Sequence, residues 1–213
     1  LYYSGWPDKI YGRTYPVSDA FHVYSERTPF GVVAGVIPWN VPFLFAAKKF
    51  APALAFGNAV LVKPAAETPL TALRLLELMR EAGLPQGLAD VLTGGAEVGQ
   101  ALVGDPRTKL IVFTGHHETG RAIARAAAEN LTPIALELGG KSPQLLFADA
   151  DLDTALDGVI MGVYASCGQM CIAGSRLLVE EPLYEKVVTE LARRTSALVA
   201  GDPRDPGVDI GPQ

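Results

Sequence analysis

Cysteine is scarce in this chain, with 2 in 213 residues. Cys167 and Cys171 cannot build a disulfide scaffold, and a bond between two residues so close in one helix is geometrically poor. Reduced thiols in a cytoplasmic protein are the expectation. Charge of one sign is also in short supply. Lys and Arg number 18 against 23 Asp and Glu, a net charge of -5. That leaves no basic footprint for nucleic acid, so any phosphate recognition has to come from local backbone N–H groups. Long apolar runs are missing too. The most apolar stretch, residues 30–62, is cut by Pro38, Asn40, Pro42, Lys48, Lys49 and Pro52, which excludes a membrane-spanning helix there. No secretory signal opens the chain. It begins with Leu1 rather than Met, so a preceding piece is expected. The 22 glycines have no period, and hydrophobic residues make up 49%; collagen-like and disordered chains are both excluded.

What is present is an alternation of strand-like and helix-like segments. Residues 32–37 form a β-branched run that reads as a buried strand. Residues 43–56 read as a helix despite Pro52, with Lys48 and Lys49 on one side and Gly57-Asn58 as its stop. A strand at 59–62 precedes Thr68-Pro69, an N-cap with proline at the first helical position, and a helix running to Gly83-Leu84-Pro85. Then come a strand at 90–92, a helix at 96–103, a strand at 110–113, a helix at 118–129 and strands at 134–138 and 144–147. Asp151 caps a helix to about residue 165, and a strand at 177–180 leads to an amphipathic helix at 183–199. The tail is mostly turn residues. This order predicts an α/β fold with a mostly parallel sheet. Near-continuous apolar strands imply helices on both faces. Ligands of such sheets bind beyond the carboxyl ends of the strands, so chemistry is sought just after each strand.

Asn40 follows the first strand, between Pro38 and Pro42. Two prolines restrict the backbone around it, so its amide either donates to an oxyanion or bonds its own turn. Lys63 ends the second strand, either to reach phosphate or ribose oxygens or to stand solvated. Gly94, Gly95 and Gly99 follow the third strand, and Thr114-Gly115-His116-His117 the fourth. Both are glycine-bearing turns into helices, whose free N–H groups suit a pyrophosphate but also serve ordinary turns. His116 and His117 lack further ligands at metal-binding spacing, so no metal is expected. Glu137 stands between Leu136 and Leu138. Burial there would raise its pKa and make it a tunable general base, unless it pairs with Lys or Arg. Cys171 falls past a helix end, among small residues. It is either an accessible nucleophile or a buried, inert thiol.

Six segments stand in order over essentially the whole chain: Pro38-Trp39-Asn40-Val41-Pro42, Lys63-Pro64, Phe113-Thr114-Gly115, Leu136-Glu137-Leu138-Gly139-Gly140-Lys141-Ser142-Pro143, Gly168-Gln169-Met170-Cys171 and Ala173-Gly174-Ser175-Arg176. Together they resemble the aldehyde dehydrogenase superfamily. The resemblance implies a Rossmann-like cofactor domain with an N-terminal segment over residues 1–138. Residues 139–213 would be the start of a second α/β domain, the catalytic one. It implies Cys171 as the nucleophile on a small aldehyde. Asn40 and the Cys171 backbone N–H would hold the oxyanion, and Glu137 would activate water to release the acid. It also implies NAD or NADP as cofactor, held by Ile37, Pro38, Trp39, Asn40, Lys63, Gly95, Gly99, Thr114, Gly115, His116 and Leu138. A homo-oligomer is implied for the full-length form.

Three departures stand out. Ala66 replaces the Glu that binds the adenosine ribose in many NAD-preferring members, with Glu67 one residue later. His116 replaces a customary Ser. A later Glu-x-Phe-Gly-Pro segment is absent. Two other outcomes fit the same residues: acyl transfer to CoA rather than water, and a non-catalytic nucleotide-binding fragment. Unpaired sheet edges and apolar surface predict that the isolated chain self-associates. Sedimentation of the 213-residue chain checks this, and a well-behaved monomer contradicts it.

Overall fold

The computed structural model describes residues 1–212, in two compact units, Leu1–Leu138 and the described residues from Gly139 on. The first unit opens with an antiparallel hairpin, β1 (Arg13–Ser18) and β2 (Phe21–Ser25), whose register shifts between Tyr15 and Ser18. No element was expected there. Both strands are almost wholly exposed, so no buried face imposes an apolar alternation on their sequence.

A five-stranded parallel sheet follows, built from β3 (Val32–Val36), β4 (Ala59–Lys63), β5 (Ala89–Val91), β6 (Thr108–Gly115) and β7 (Ile134–Leu138), in the order β5-β4-β3-β6-β7. Four helices alternate with these strands: α1 (Pro42–Ala55), α2 (Leu70–Glu81), α3 (Ala96–Gly104) and α4 (His117–Glu129). The chain adds strands to one side of β3, then crosses and adds them to the other. The switch point therefore lies between β3 and β6, where such sheets open a crevice.

Successive strand residues point to opposite faces, and the core divides accordingly. Val33, Val60, Val62 and Val91 pack with Ala46, Phe50, Ala53, Ala72 and Leu76 of α1 and α2. Ala34, Ile111 and Phe113 pack with Leu102, Val103, Ile123 and Ala127 of α3 and α4. Both faces are covered, as the continuous apolar runs predicted. In α1, Pro42 takes the first helical position, while Pro52 lies inside the helix.

Two local expectations change. Strand β6 is longer than its apolar centre, because Thr108 and Thr114 are buried yet bonded: Thr108 Oγ1 donates to the Leu102 carbonyl at 2.8 Å, and Thr114 Oγ1 accepts from Lys49 Nζ at 3.1 Å. Thr68 does not cap α2. Pro69 holds the cap position without a side-chain cap bond, and Thr68 Oγ1 is buried with no partner. The helix starts one residue later than the cap motif required.

The second unit pairs β8 (Pro143–Leu146) and β9 (Arg176–Val179) in parallel, with α5 (Leu152–Tyr164) and α6 (Tyr184–Ser196). Leu146, Leu156 and Val187 form its core. Asp151 caps α5, its carboxylate accepting the Thr154 N–H at 2.9 Å. Arg194 of α6 reaches Asp157 of α5 at 2.6 Å and Glu190 at 2.8 Å.

Phe50 is 1% exposed at the centre of the first core. Its replacement by Ala is expected to cost about 3–5 kcal/mol, by lost burial and a cavity. A urea titration of Phe50→Ala beside the parent chain measures it.

Candidate active site

Because the five strands run parallel, their carboxyl ends share one edge. That edge carries Ile37, Pro38, Trp39 and Asn40 after β3, Lys63 at the end of β4 and Gly95 after β5. It also carries Thr114, Gly115 and His116 at the end of β6 and Leu138 at the end of β7. Ile37 is buried, and its N–H donates to the Lys63 carbonyl at 3.1 Å, tying the Asn40 loop to β4. Asn40 is half-buried, while Trp39 is 42% exposed.

A cavity of about 430 Å³ opens between α3 and α4, lined by Lys63, Gly95, Gly99, Gln100, Glu118 and Thr119 among others. Lys63 is 9% exposed and has no side-chain hydrogen bond or ion pair among the described residues. Gly99 leaves room for it: a Cβ there would lie 4.0 Å from Lys63 Cδ. A buried cation facing an open cavity suits a polar or anionic ligand. His116 caps α4, its Nδ1 accepting the Glu118 N–H at 3.3 Å. The imidazole thus already uses one of the amides that a pyrophosphate would seek. Glycines keep the neighbouring turn close-packed. A Cβ on Gly115 would meet the Phe113 ring at 2.6 Å, and one on Gly120 would meet Leu138 at 2.8 Å.

Glu137 corrects an expectation. It is exposed, not buried. Leu136 and Leu138 turn toward the α4 face, and the alternation of β7 sends Glu137 to the other side. There it pairs in register with Thr114, whose hydroxyl accepts from Lys49. Lys49, bonded to Thr114 at the carboxyl edge, is a buried candidate that sequence reasoning missed. It was grouped with Lys48 on one side of the helix, yet it lies on the inner face of α1 with Ala46, Phe50 and Ala53. Gly35 makes the space, since a Cβ there would meet the lysine stem at 3.1 Å. Burial, then the neighbouring Lys48 charge, lowers the Lys49 pKa from 10.5 to about 8, with the Glu137 charge opposing them. The helical spacing 46, 49, 50, 53 was the available signal.

In the second unit, Cys171 is exposed. Beyond α5 the chain turns sharply, with left-handed φ at Ser166 (51°), Cys167 (57°) and Gly168 (75°). Hydrogen bonds close two turns, Gln169 N–H to Ser166 O at 3.1 Å and Ala173 N–H to Met170 O at 3.0 Å. Gln144 of β8 anchors the segment. Its Nε2 donates to the Gly174 carbonyl at 2.8 Å, and Gly174 N–H donates to Gly162 O at 2.9 Å. A Cβ on Gly174 would stand 2.5 Å from the Gln144 side chain. Sequence reasoning placed residue 144 on a strand but assigned it no part in the site.

These parts define a doubly wound α/β unit with a cavity between α3 and α4, and a second unit that displays an exposed thiol. The aldehyde dehydrogenase family model matches residues 1–213, and the chain belongs to that family. It is 47% identical to retinal dehydrogenase 2 of Gallus gallus over 214 residues, covering all of this chain and 41% of that protein. Among solved structures, PnpE in complex with nicotinamide adenine dinucleotide superposes with a TM-score of 0.95 at 41% identity, over 99% of this chain and 44% of that one. An E. coli NADP dependent enzyme gives 0.95 at 38% identity, over 99% and 44%. The chain thus spans about two fifths of the length of the curated relatives it matches.

The lowered Lys49 pKa has a defined sign. Between pH about 8 and 10.5 the unfolded chain holds a proton that the folded one has lost. Stability from this group therefore rises with pH across that window. Urea midpoints of the parent and Lys49→Met, compared at the two ends of the window, are expected to show the rise only in the parent.

Proposed function

We propose that this chain is the central part of an NAD(P)-dependent aldehyde dehydrogenase, with residues 1–138 binding the cofactor and residues 139–213 beginning the catalytic domain. The family match over the whole chain carries this reading. The exposed thiol of Cys171, on a loop braced by Gln144, supports it. So does the cavity that Lys63 and Gly99 help line.

Cys171 Sγ attacks the aldehyde carbon, and the carbonyl π pair moves onto oxygen. Sulfur suits both halves of the path, as nucleophile and as leaving group. The Asn40 amide and the Cys171 backbone N–H donate to the oxyanion; a donor of this kind is worth about 3–4 kcal/mol of barrier. NAD(P)+, held along the carboxyl edge of the sheet, would supply the hydride acceptor that oxidation of this carbon to a Cys171 thioester requires. Glu137 then takes a proton from water as the water oxygen attacks the thioester, and the thiolate departs. The exposure of Glu137 keeps it open to water, which favours hydrolysis over transfer to CoA. Lys49 is a positioning residue, bonded to Thr114 opposite Glu137.

The cofactor residues fit this role. Lys63 is buried beside the cavity with no side-chain hydrogen bond among the described residues, and Gly99 leaves room next to its stem. We assign Ile37, Pro38, Trp39, Asn40, Thr114, Gly115, His116 and Leu138 to the same surface.

Aldehyde-dependent formation of reduced cofactor by the full-length protein tests the reading. Cys171→Ala is expected to lower kcat by at least about a thousandfold while cofactor still binds. Activity that survives the substitution removes Cys171 as the nucleophile.

A further inference from the structure

The stretch of chain that carries Asn40 is short of acid. Residues 27–66 contain Arg27, Lys48, Lys49 and Lys63 and no Asp or Glu, although the whole chain has a net charge of -5. The sheet separates these cations. Lys63 lines the cavity between α3 and α4. Lys48 and Lys49 belong to α1, which packs on the opposite face. Glu137 is turned to the α1 side as well, in register with the Thr114 that Lys49 bonds. On this side a cavity of about 350 Å³ is lined by Lys48 and Lys49 with Arg27, Phe30, Pro52 and Phe56 among others, and by no Asp or Glu among the described residues. Lys48 is exposed and has no hydrogen bond or ion pair among the described residues. Its Nζ stands 5.9 Å from the centre of the Phe45 ring, one turn back along the helix. The ammonium therefore leans toward the amino end of α1, which Asn40 precedes. Leu44 and Phe45 share a stripe with Lys48, and Leu44 is 51% exposed.

We propose that the aldehyde accepted here carries a carboxylate at its far end, and that Lys48 sets this specificity by binding that carboxylate. The assignment rests on the reading given above, in which the aldehyde oxygen is held at Asn40. From Pro42 to Lys48 the helix advances about 9 Å, and the lysine stem leans back over part of that length. A short methylene chain spans the remainder, with Leu44 and Phe45 as its apolar support. At the end of that chain the ammonium supplies a charge-assisted hydrogen bond, and one ammonium balances one carboxylate. The ammonium has no acidic competitor in the cavity wall, and a wall of one sign draws an anionic substrate in. An uncharged tail leaves Lys48 solvated beside Phe45 and gains none of this. Lys63 lines the cavity on the other face of the sheet, so the charge of Lys48 is not spent there.

Steady-state oxidation of adipate semialdehyde beside hexanal, and of suberate semialdehyde beside octanal, by the full-length protein compares tails of equal length that differ in the terminal charge. In at least one pair kcat/KM is expected to favour the semialdehyde by about tenfold, chiefly through KM. Lys48→Met is expected to reduce that preference by about tenfold, and Lys48→Arg to keep it. Thermal melts confirm that each variant is folded, and Lys48→Gln replaces Lys48→Met if the latter is not. Equal or better use of the neutral aldehyde in both pairs, or a preference that the folded Lys48 variant leaves intact, overturns the inference and leaves the aldehyde reading standing. Failure of all these aldehydes to yield reduced cofactor overturns the aldehyde reading, and this inference with it.

Discussion

Coverage of both faces of the parallel sheet is the constraint on which the first unit depends. Each strand has to supply apolar side chains in both directions, and β3 does so with Val33 on the α1–α2 side and Ala34 on the α3–α4 side. With both faces closed, the carboxyl edge becomes the place where loops can carry polar chemistry without disturbing the core. Asn40, Lys63, Gly95, His116 and Leu138 share that edge because the strands are parallel and in register, as Thr114 opposite Glu137 illustrates. The residues proposed for the site need no proximity in sequence. They need only to follow a strand.

Two buried lysines show how differently one side chain can be used within one sheet. Lys49 lies against the α1 face with a single neutral partner, the Thr114 hydroxyl, and a like charge next to it in sequence. Desolvation wins there, and the charged form is disfavoured. Lys63 has no side-chain hydrogen bond or ion pair among the described residues, and it lines the cavity between α3 and α4. The first arrangement suits a group that holds or yields a proton near Glu137, and the second suits electrostatic recognition of a ligand.

The parallel sheet was legible because its strands are apolar runs separated by helices with recognisable starts and stops. The edge residues were legible because motif and strand end coincide at Asn40, Lys63 and Glu137. What escaped has physical causes. The ends of β6 are threonines, which look like loop residues until Leu102 and Lys49 are seen to satisfy their hydroxyls. The burial of Glu137 was inferred from its neighbours in sequence, but on a strand the neighbours face the other way. Lys49 was read with Lys48, although adjacent residues on a helix do not share a face. The part played by Gln144 arises from Gly162 and Gly174, far from it in sequence, and local pattern carries no trace of that contact.

The segment before Cys171 carries the clearest backbone strain. Ser166 and Cys167 adopt left-handed φ without being glycine, which costs about 1–3 kcal/mol each and persists only where surroundings over-determine it. Here they do. The Gln169 N–H closes the first turn, Cys167 Sγ lies 3.3 Å from the Gly211 carbonyl, and Gly174 is held between Gly162 and Gln144. Arg176 adds a bond from Nε to the Lys141 carbonyl at 2.8 Å, fixing the start of β9 to the chain that leads into β8. The loop is thus clamped at both ends by contacts remote in sequence, with Cys171 exposed between them. The role proposed for Cys171 needs a fixed direction of attack, and a strained loop with rigid supports supplies one that a relaxed turn on solvent would not.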